Sequence, residues 1–282
     1  MITHPEKVLF PDDGITKGEL AAYYEAVAAV MIPYIRARPV TMERYPAGIA
    51  QKGFIQKDVS RGFPDWLERV EVPKKDGTVH YPIVKDARSL LWVVNQNTIT
   101  PHVWLSRADR VQQPDRLVFD LDPDVGVDFE AVRKAARDLK RQLADMGLTT
   151  FPMLTGGKGV HVVAPLTPKA KWPEVKDFAQ RFALALAQAE PDRFTAALSK
   201  AKRTGRIFID YLRNQRGATA VMPYSARARE GAPVAAPIDW EELGKMESGA
   251  RFTVKDADLL LERASSRTLQ GWGEAAQALP KA

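Results

Sequence analysis

Apolar residues recur every three to four positions after Thr16, at Leu20, Tyr23, Tyr24, Val27, Val30 and Met31. This is the spacing of one helical face. Thr16-x-x-Glu19 ahead of it has the form of a capping box, and Pro33 is expected to stop the helix. From about Pro39 to Val111 the pattern shortens into loops and strands, with strands expected over Gly53 to Lys57 and Leu90 to Asn95. Leu117, Phe119 and Leu121 then alternate with Asp120 and Asp122, so Arg116 to Asp122 reads as a strand ended by Pro123. Phe129, Val132, Ala136, Leu139, Leu143 and Met146 form a second helical stripe, closed by Gly147. Strands follow over Thr149 to Leu154 and Val160 to Pro165, with a turn at Gly156-Gly157 between them. Pro173 suits a helix's first turn, and Val175, Phe178, Phe182 and Leu186 continue that helix until Pro191. Arg206 to Leu212 is the fourth strand, and a Pro/Ala-rich connection from Glu230 to Pro237 leads to short C-terminal helices.

The order β-α-β-β-α-β between Arg116 and Leu212 is the split βαβ pattern of a ferredoxin-like or RRM-like sheet. The expected fold class is therefore α/β (α+β). It consists of one domain over 1–282, with an N-terminal α/β lobe over 1–112 and an RRM-like lobe with C-terminal helices over 113–282. No strong linker separates the two, and there is no internal repeat or low-complexity segment.

Composition narrows the class. A chain of 282 residues, 45% hydrophobic and 27% charged, can bury a sizeable core and is neither disordered nor collagen-like. No apolar run approaches the roughly 20 residues of a membrane span, and Ala21 to Ile35 is broken by Glu25 and Pro33. The first residues lack the layout of a signal peptide. The absence of cysteine excludes disulfides, cysteine-ligated zinc, Fe–S clusters and Cys nucleophiles, and makes the cytoplasm the expected location. Net charge is +6, with pI ≈ 9.4. Eight bases (Lys200, Lys202, Arg203, Arg206, Arg213, Arg216, Arg227 and Arg229) face only Asp210 and Glu230 between Lys200 and Glu230. The rest of the chain, with 33 bases and 33 acids, is neutral. By charge alone that stretch fits a solvated surface as well as a polyanion site.

Asp120 and Asp122 point to one face of their expected strand. Adjacent carboxylates repel each other unless a cation neutralises them, and their oxygens suit Mg²⁺ or Mn²⁺. Asp-x-Asp-Pro by itself could equally end a strand. Asp210, on another expected strand inside the basic stretch, favours a two-metal site that activates a 3′-hydroxyl and stabilises leaving pyrophosphate. Thr155-Gly-Gly-Lys-Gly-Val-His-Val162 lies between two strands. Gly157 and its neighbours let the backbone approach an anion, Lys158 adds charge and Thr155 a hydroxyl. His161 faces either the side of Val163 or the turn mouth. A Walker A loop is absent, because no G-x-x-x-x-G-K-[ST] occurs and a strand follows. Alone, this is a Gly-rich hairpin with an exposed lysine; beside three aspartates, a triphosphate cradle is the better account.

Asp120-Leu-Asp-Pro123, Thr155 to Val162 and Ile207-Phe-Ile-Asp-Tyr-Leu212 resemble the three motifs of archaeo-eukaryotic primases. More closely, the chain resembles the polymerase domain of bacterial ligase D (LigD), over nearly its whole length. The likeness includes His4 to Pro11, Ile15 to Leu20, Arg44-Tyr-Pro-x-Gly48, Gly53-Phe-Ile-Gln-Lys57, Asn95 to His102 and Met222-Pro-Tyr-Ser-x-Arg227. The resemblance implies a primase-type fold and a nucleotidyltransferase of non-homologous end joining. Such an enzyme adds NTPs or dNTPs to a 3′ end at gaps and double-strand breaks. It implies two divalent ions, Mn²⁺ preferred over Mg²⁺, held by Asp120, Asp122 and Asp210. Thr155, Gly157, Lys158, His161, His102 and Arg227 would hold the nucleotide. Arg203 and Arg206 would contact DNA, and Phe54 would stack near it. Lys7 and Lys17 match the family's pocket for a downstream 5′-phosphate, and Lys17 sits at a helix N-terminus, where anions are favoured.

Two positions depart from the family pattern: Thr155 stands where serine is usual, and Ile55 replaces the second ring after Phe54. Trp92 and Trp104 read as core, and His4 and His80 receive no role. The implied partners are gapped, nicked or broken DNA, Ku and an ATP-dependent DNA ligase, in a bacterial, nucleoid-associated setting and away from membranes. No ligase or nuclease segment is present, so the chain reads as a standalone polymerase or as one domain of a larger protein. A primase that starts chains de novo usually carries a zinc-bound element, which the lack of cysteine opposes. A non-catalytic module that bridges DNA ends would not need the acidic trio.

Overall fold

The computed structural model describes residues 2–59 and 62–281. In chain order its first elements are β1 Val8–Phe10, β2 Ile15–Thr16, α1 Lys17–Ile35, β3 Val40–Arg44, β4 Phe54–Gln56, β5 Arg69–Lys74, β6 Gly77–Pro82, α2 Ala87–Asn95 and β7 Thr98–Val103. There follow β8 Arg116–Pro123, α3 Phe129–Asp145, β9 Phe151–Leu154, β10 Val160–Pro165, α4 Trp172–Ala189, β11 Phe194–Thr195 and β12 Ile207–Asp210. The chain ends with β13 Ala220–Val221, β14 Ala236–Pro237, α5 Trp240–Leu243 and α6 Ala257–Ala264. Among the described residues no helix is long and apolar enough to cross a membrane.

These elements form two compact units. The first comprises Met1–Val111, Thr219–Ala236 and Phe252–Ser266, and the second Gln112–Ala218, Pro237–Arg251 and Arg267–Ala282. The break after Val111 lies next to the expected boundary at 112/113, but two later segments belong with the first unit. Hydrogen bonding gives the reason. β13 pairs with β7, the Thr100 hydroxyl donates to the Ala226 carbonyl, and the Val234 N–H donates to Phe252.

In the first unit a four-stranded sheet runs β13-β7-β3-β4. Thr16 caps α1 through the expected box, with its hydroxyl accepting from the Glu19 N–H. The helix does not stop at Pro33 but continues to Ile35. Two residues from its end, proline's missing N–H removes a single ladder bond, which a packed helix tolerates. Leu90 to Asn95 forms helix α2, where a strand is expected from sequence. The Asp86 carboxylate accepts from the Ser89 N–H at 2.8 Å, and Leu90, Val93 and Val94 turn one face into the core. A short continuous apolar run fits either element, and here the cap decides.

The second unit carries the sheet β11-β12-β8-β10-β9-β14. Strands β12, β8, β10 and β9 are mutually antiparallel in that order, which is the split βαβ topology read from the sequence. Leu117, Phe119 and Leu121 are fully buried on one face of β8, where Phe119 meets Phe182 of α4 at 4.9 Å between ring centres. Val132, Ala136, Leu139 and Leu143 of α3 are buried as their spacing predicts. The apolar side chains thus occupy the helix-covered face, and the alternation sends Asp120 and Asp122 to the other.

Candidate metal and nucleotide site

On that second face, Asp120 of β8 lies between two neighbours. It is directly opposite Asp210 of β12 and directly opposite His161 of β10. Residues opposed across antiparallel strands share a face. His161 is therefore on the acidic side, almost fully buried, with Nε2 3.4 Å from Asp120 Oδ2. His161 thus shares the side of Val163, which lies opposite Val118 on the same face. Phe208 lies opposite Asp122.

Arg213, in the turn after β12, joins the group. Its guanidinium approaches Asp120 Oδ2 and Asp210 Oδ2, each at 3.2 Å. The turn is pinned by buried Asn214, whose amide accepts from the Val118 N–H at 2.8 Å and donates to the Val118 carbonyl at 2.7 Å. Burial pushes the Asp210 carboxyl above its ordinary range, Arg213 opposes this and Asp120 adds to it. Burial works against charge on Arg213, but Asp120 and Asp210 outweigh it and raise its pKa. Asp122 is more exposed and faces Arg203 at 3.7 Å, and that guanidinium also covers the Phe208 ring at 3.7 Å.

Among the described residues no three His, Cys, Asp or Glu side chains are gathered as ready metal ligands. The donor chemistry nonetheless fits a divalent ion. Asp120 and Asp210 converge on one positive charge, now supplied by Arg213, and carboxylate oxygens are the ligands that Mg²⁺ and Mn²⁺ take. Asp122, two residues along the same face, is the further oxygen donor within the same strand pair.

The glycine turn between β9 and β10 is built tightly. Gly156 adopts φ 67°, a left-handed backbone that suits glycine. A side chain at Gly159 would collide with the Leu121 carbonyl oxygen, so glycine allows β10 to meet β8 beside Asp120. The Gly156 N–H donates to Gly249 at 2.9 Å, and a side chain at Gly249 would strike the carbonyls of Gly157 and Gly159. Thr155 is buried and its hydroxyl donates to the Gly159 carbonyl at 3.0 Å. That proton closes the turn, and a phosphate contact would have to replace this bond. Lys158 is exposed at the tip.

His102 and Arg227 lie in the first unit with a cluster of their own. His102 Nε2 is 3.1 Å from Glu43 Oε2, and the Tyr45 hydroxyl donates to Glu43 Oε1 at 2.9 Å. Burial pushes Glu43 up, but the bonds from His102 and Tyr45 and the Arg227 charge outweigh it, holding the carboxyl at about 2. Burial and Glu43 push the Tyr45 phenol up to about 12. The segment carrying Arg227 is fixed against β7. The Ala226 N–H donates to the Tyr24 hydroxyl at 3.0 Å, and that hydroxyl donates to the Ile99 carbonyl at 2.6 Å. Tyr224 holds a left-handed φ of 67° within this segment, a strained conformation for a large side chain.

Of the residues expected at DNA, Phe54 is half-exposed beside an exposed Ile55, with Arg44 over its ring at 5.2 Å. Lys17 is buried rather than open: its ammonium donates to the Thr3 carbonyl at 2.7 Å and hydroxyl at 3.2 Å. Burial first, then Lys7 and Arg44, lower its pKa, so these three cations share one neighbourhood. Arg203 lies against Asp122 and Phe208 within the acidic face, and the Arg206 guanidinium donates to Pro191 at 3.2 Å. From sequence Arg213 reads only as one base of the basic stretch, Tyr45 only as part of a family motif, and Glu43 receives no role. Asp210-x-x-Arg213 was the available signal for the first, since a base three residues past a strand-end acid can fold back on it. For Glu43 the only signal was its position one residue before Arg44-Tyr-Pro.

The LigD primase-polymerase domain family matches residues 16–267. The chain is 38% identical over 248 residues to the multifunctional non-homologous end joining protein LigD of Mycolicibacterium smegmatis, covering 87% of this chain and 32% of that protein. It is 32% identical over 262 residues to the bifunctional non-homologous end joining protein LigD of Bacillus subtilis, covering 93% of this chain and 42% of that one. The chain thus spans about a third of the length of the first of these relatives. Among solved structures, the polymerase domain from Mycobacterium tuberculosis ligase D in complex with DNA superposes with a TM-score of 0.88. It is 33% identical, and the match covers 97% of each chain.

Proposed function

The chain belongs to the LigD primase-polymerase family, and from that premise we propose that it extends DNA 3′ ends at gaps and double-strand breaks in end joining. Membership implies a polymerase that depends on a divalent metal. The observation that carries the proposal is the convergence of Asp120 and Asp210 on one positive charge, with Asp122 on the same sheet face.

Asp120, Asp122 and Asp210 would hold two ions, with Mn²⁺ preferred over Mg²⁺. Bound there, divalent ions would neutralise triphosphate charge and lower the pKa of the attacking 3′-hydroxyl. The protein's own part is positional. Asn214 fixes the turn that carries Arg213, and His161 backs Asp120. Gly157 and Lys158 present backbone and ammonium to phosphate, and Thr155, His102 and Arg227 are the remaining nucleotide contacts. The hydroxyl would give up its proton to water, and its oxygen would join the α-phosphorus as the bond to pyrophosphate breaks. Phe54, Arg203 and Arg206 are offered to DNA. Lys7 and Lys17, with Arg44 in the same neighbourhood, are offered to a downstream 5′-phosphate, which would have to draw the Lys17 ammonium away from Thr3. Ku and an ATP-dependent ligase are the proposed partners.

Gap filling on a duplex with and without a 5′-phosphate, comparing NTP with dNTP and Mn²⁺ with Mg²⁺, tests this reading. The expected result is incorporation that is strongest with NTP, Mn²⁺ and the phosphorylated gap. DNA binding without incorporation under every condition would refute it.

A further inference from the structure

The nucleotide reading gives His102 a ligand but leaves Glu43 and Tyr45 without a task. His102 lies opposite Thr41 across β3 and β7, and Glu43 is two residues further along β3. Both side chains leave the same face of the sheet, which is how they come to meet at 3.1 Å. Tyr45 occupies the second carboxylate oxygen, and its ring is held in turn. A side chain at Gly53 would stand 2.6 Å from that ring, so glycine leaves the tyrosine its place.

The chemistry of this pair is constrained. Glu43 stays ionised throughout the neutral range and can only accept, so His102 must present an N–H at Nε2. The state of Nδ1 then decides what the ring can do. In the neutral ring Nδ1 is a lone pair, which repels phosphate oxygen; in the imidazolium it is a second, charged donor. A carboxylate at Nε2 favours the imidazolium. Other groups around the pair include Tyr45 and Arg227 beside Glu43, Arg229 near Tyr45, and the Tyr24 hydroxyl beneath the Arg227 segment. Arg227 offsets the carboxylate, so an approaching polyanion does not meet a bare negative charge.

We propose that Glu43 is a positioning residue that keeps His102 doubly protonated, so that the ring meets a nucleotide triphosphate as a cation. This rests on the reading of His102 as a triphosphate contact.

The test is an NMR titration of the His102 imidazole in nucleotide-free protein, with the NTP KM followed across the same pH range. In Glu43→Gln the His102 pKa should fall by about one unit or more, a tenfold loss of proton affinity. The rise of KM with pH should begin correspondingly lower. Tyr45→Phe keeps the carboxylate and removes a competing donor, so its His102 pKa should equal or exceed that of the wild type. An unchanged His102 pKa in Glu43→Gln, a KM profile that does not follow it, or a lowered pKa in Tyr45→Phe would overturn the proposal. NTP binding by His102→Ala at wild-type strength would instead refute the nucleotide reading beneath it.

Discussion

Two aspartates opposed across a strand pair repel each other at neutral pH, and here a guanidinium three residues past the second lies against both. Arg213 and a divalent ion would therefore compete for the same oxygens. Arg213→Ala should lower Tm by about 2–4 °C in metal-free buffer, the shift expected from roughly 1 kcal/mol in a chain of this size. Adding Mn²⁺ should then raise Tm by more than it does in the wild type, because no internal cation has to be displaced. Thermal unfolding with and without Mn²⁺ checks this, and an equal response in both proteins would contradict it. At this scale the sequence was legible where periodicity does the work. Asp120 and Asp122 could be assigned to one face because side chains alternate along a strand. Arg213 and Glu43 were not legible, because their meaning depends on which strands pair and on how far a long side chain reaches across them.

Among elements, the agreement follows the strength of the local signals. β10 runs from Val160 to Pro165, as read from the sequence, because Gly-rich and Pro-bearing flanks leave it no other extent. α3 begins at Phe129 behind the Asp128 cap and gives way before Gly147, whose φ is 82°. Leu90 to Asn95, the greater part of α2, reads as a strand because Leu-Leu-Trp-Val-Val carries no visible period, while the Asp86-x-x-Ser89 cap lies outside that run. The join between the glycine turn and the acidic strand offers a direct test. In Gly159→Ala the added carbon collides with the Leu121 carbonyl, and backbone cannot move aside as a flexible side chain could. Overpacking of this kind costs about 1–3 kcal/mol. Denaturant unfolding should show that loss, with little change in secondary structure by circular dichroism. Wild-type stability would mean that the approach of β10 to β8 is looser than described.

The molecule as a whole changes the meaning of its charge. The surplus of +6 concentrates in one stretch of sequence, but the fold divides that stretch. Lys200 to Arg216 belong to the second unit, and Arg227 and Arg229 to the first. Arg203 and Arg213 face the unit's own aspartates, so the stretch is no uniform basic stripe laid out for DNA. Charge counting alone could not show this. The family motifs and the split βαβ order were readable from the sequence, whereas the return of 219–236 and 252–266 to the first unit was not, since it depends on hydrogen bonds made far along the chain. Identity of 38% to a LigD protein and a TM-score of 0.88 to a LigD polymerase domain place the chain in its family. The proposed function requires that its acidic face performs the chemistry. The most direct measurement is single-nucleotide incorporation into a 5′-phosphorylated gap with Mn²⁺, comparing wild type with Asp120→Ala. Losing several kcal/mol of charge stabilisation predicts a drop of about a thousandfold or more, with DNA binding retained. Extension by Asp120→Ala at the wild-type rate would contradict the account.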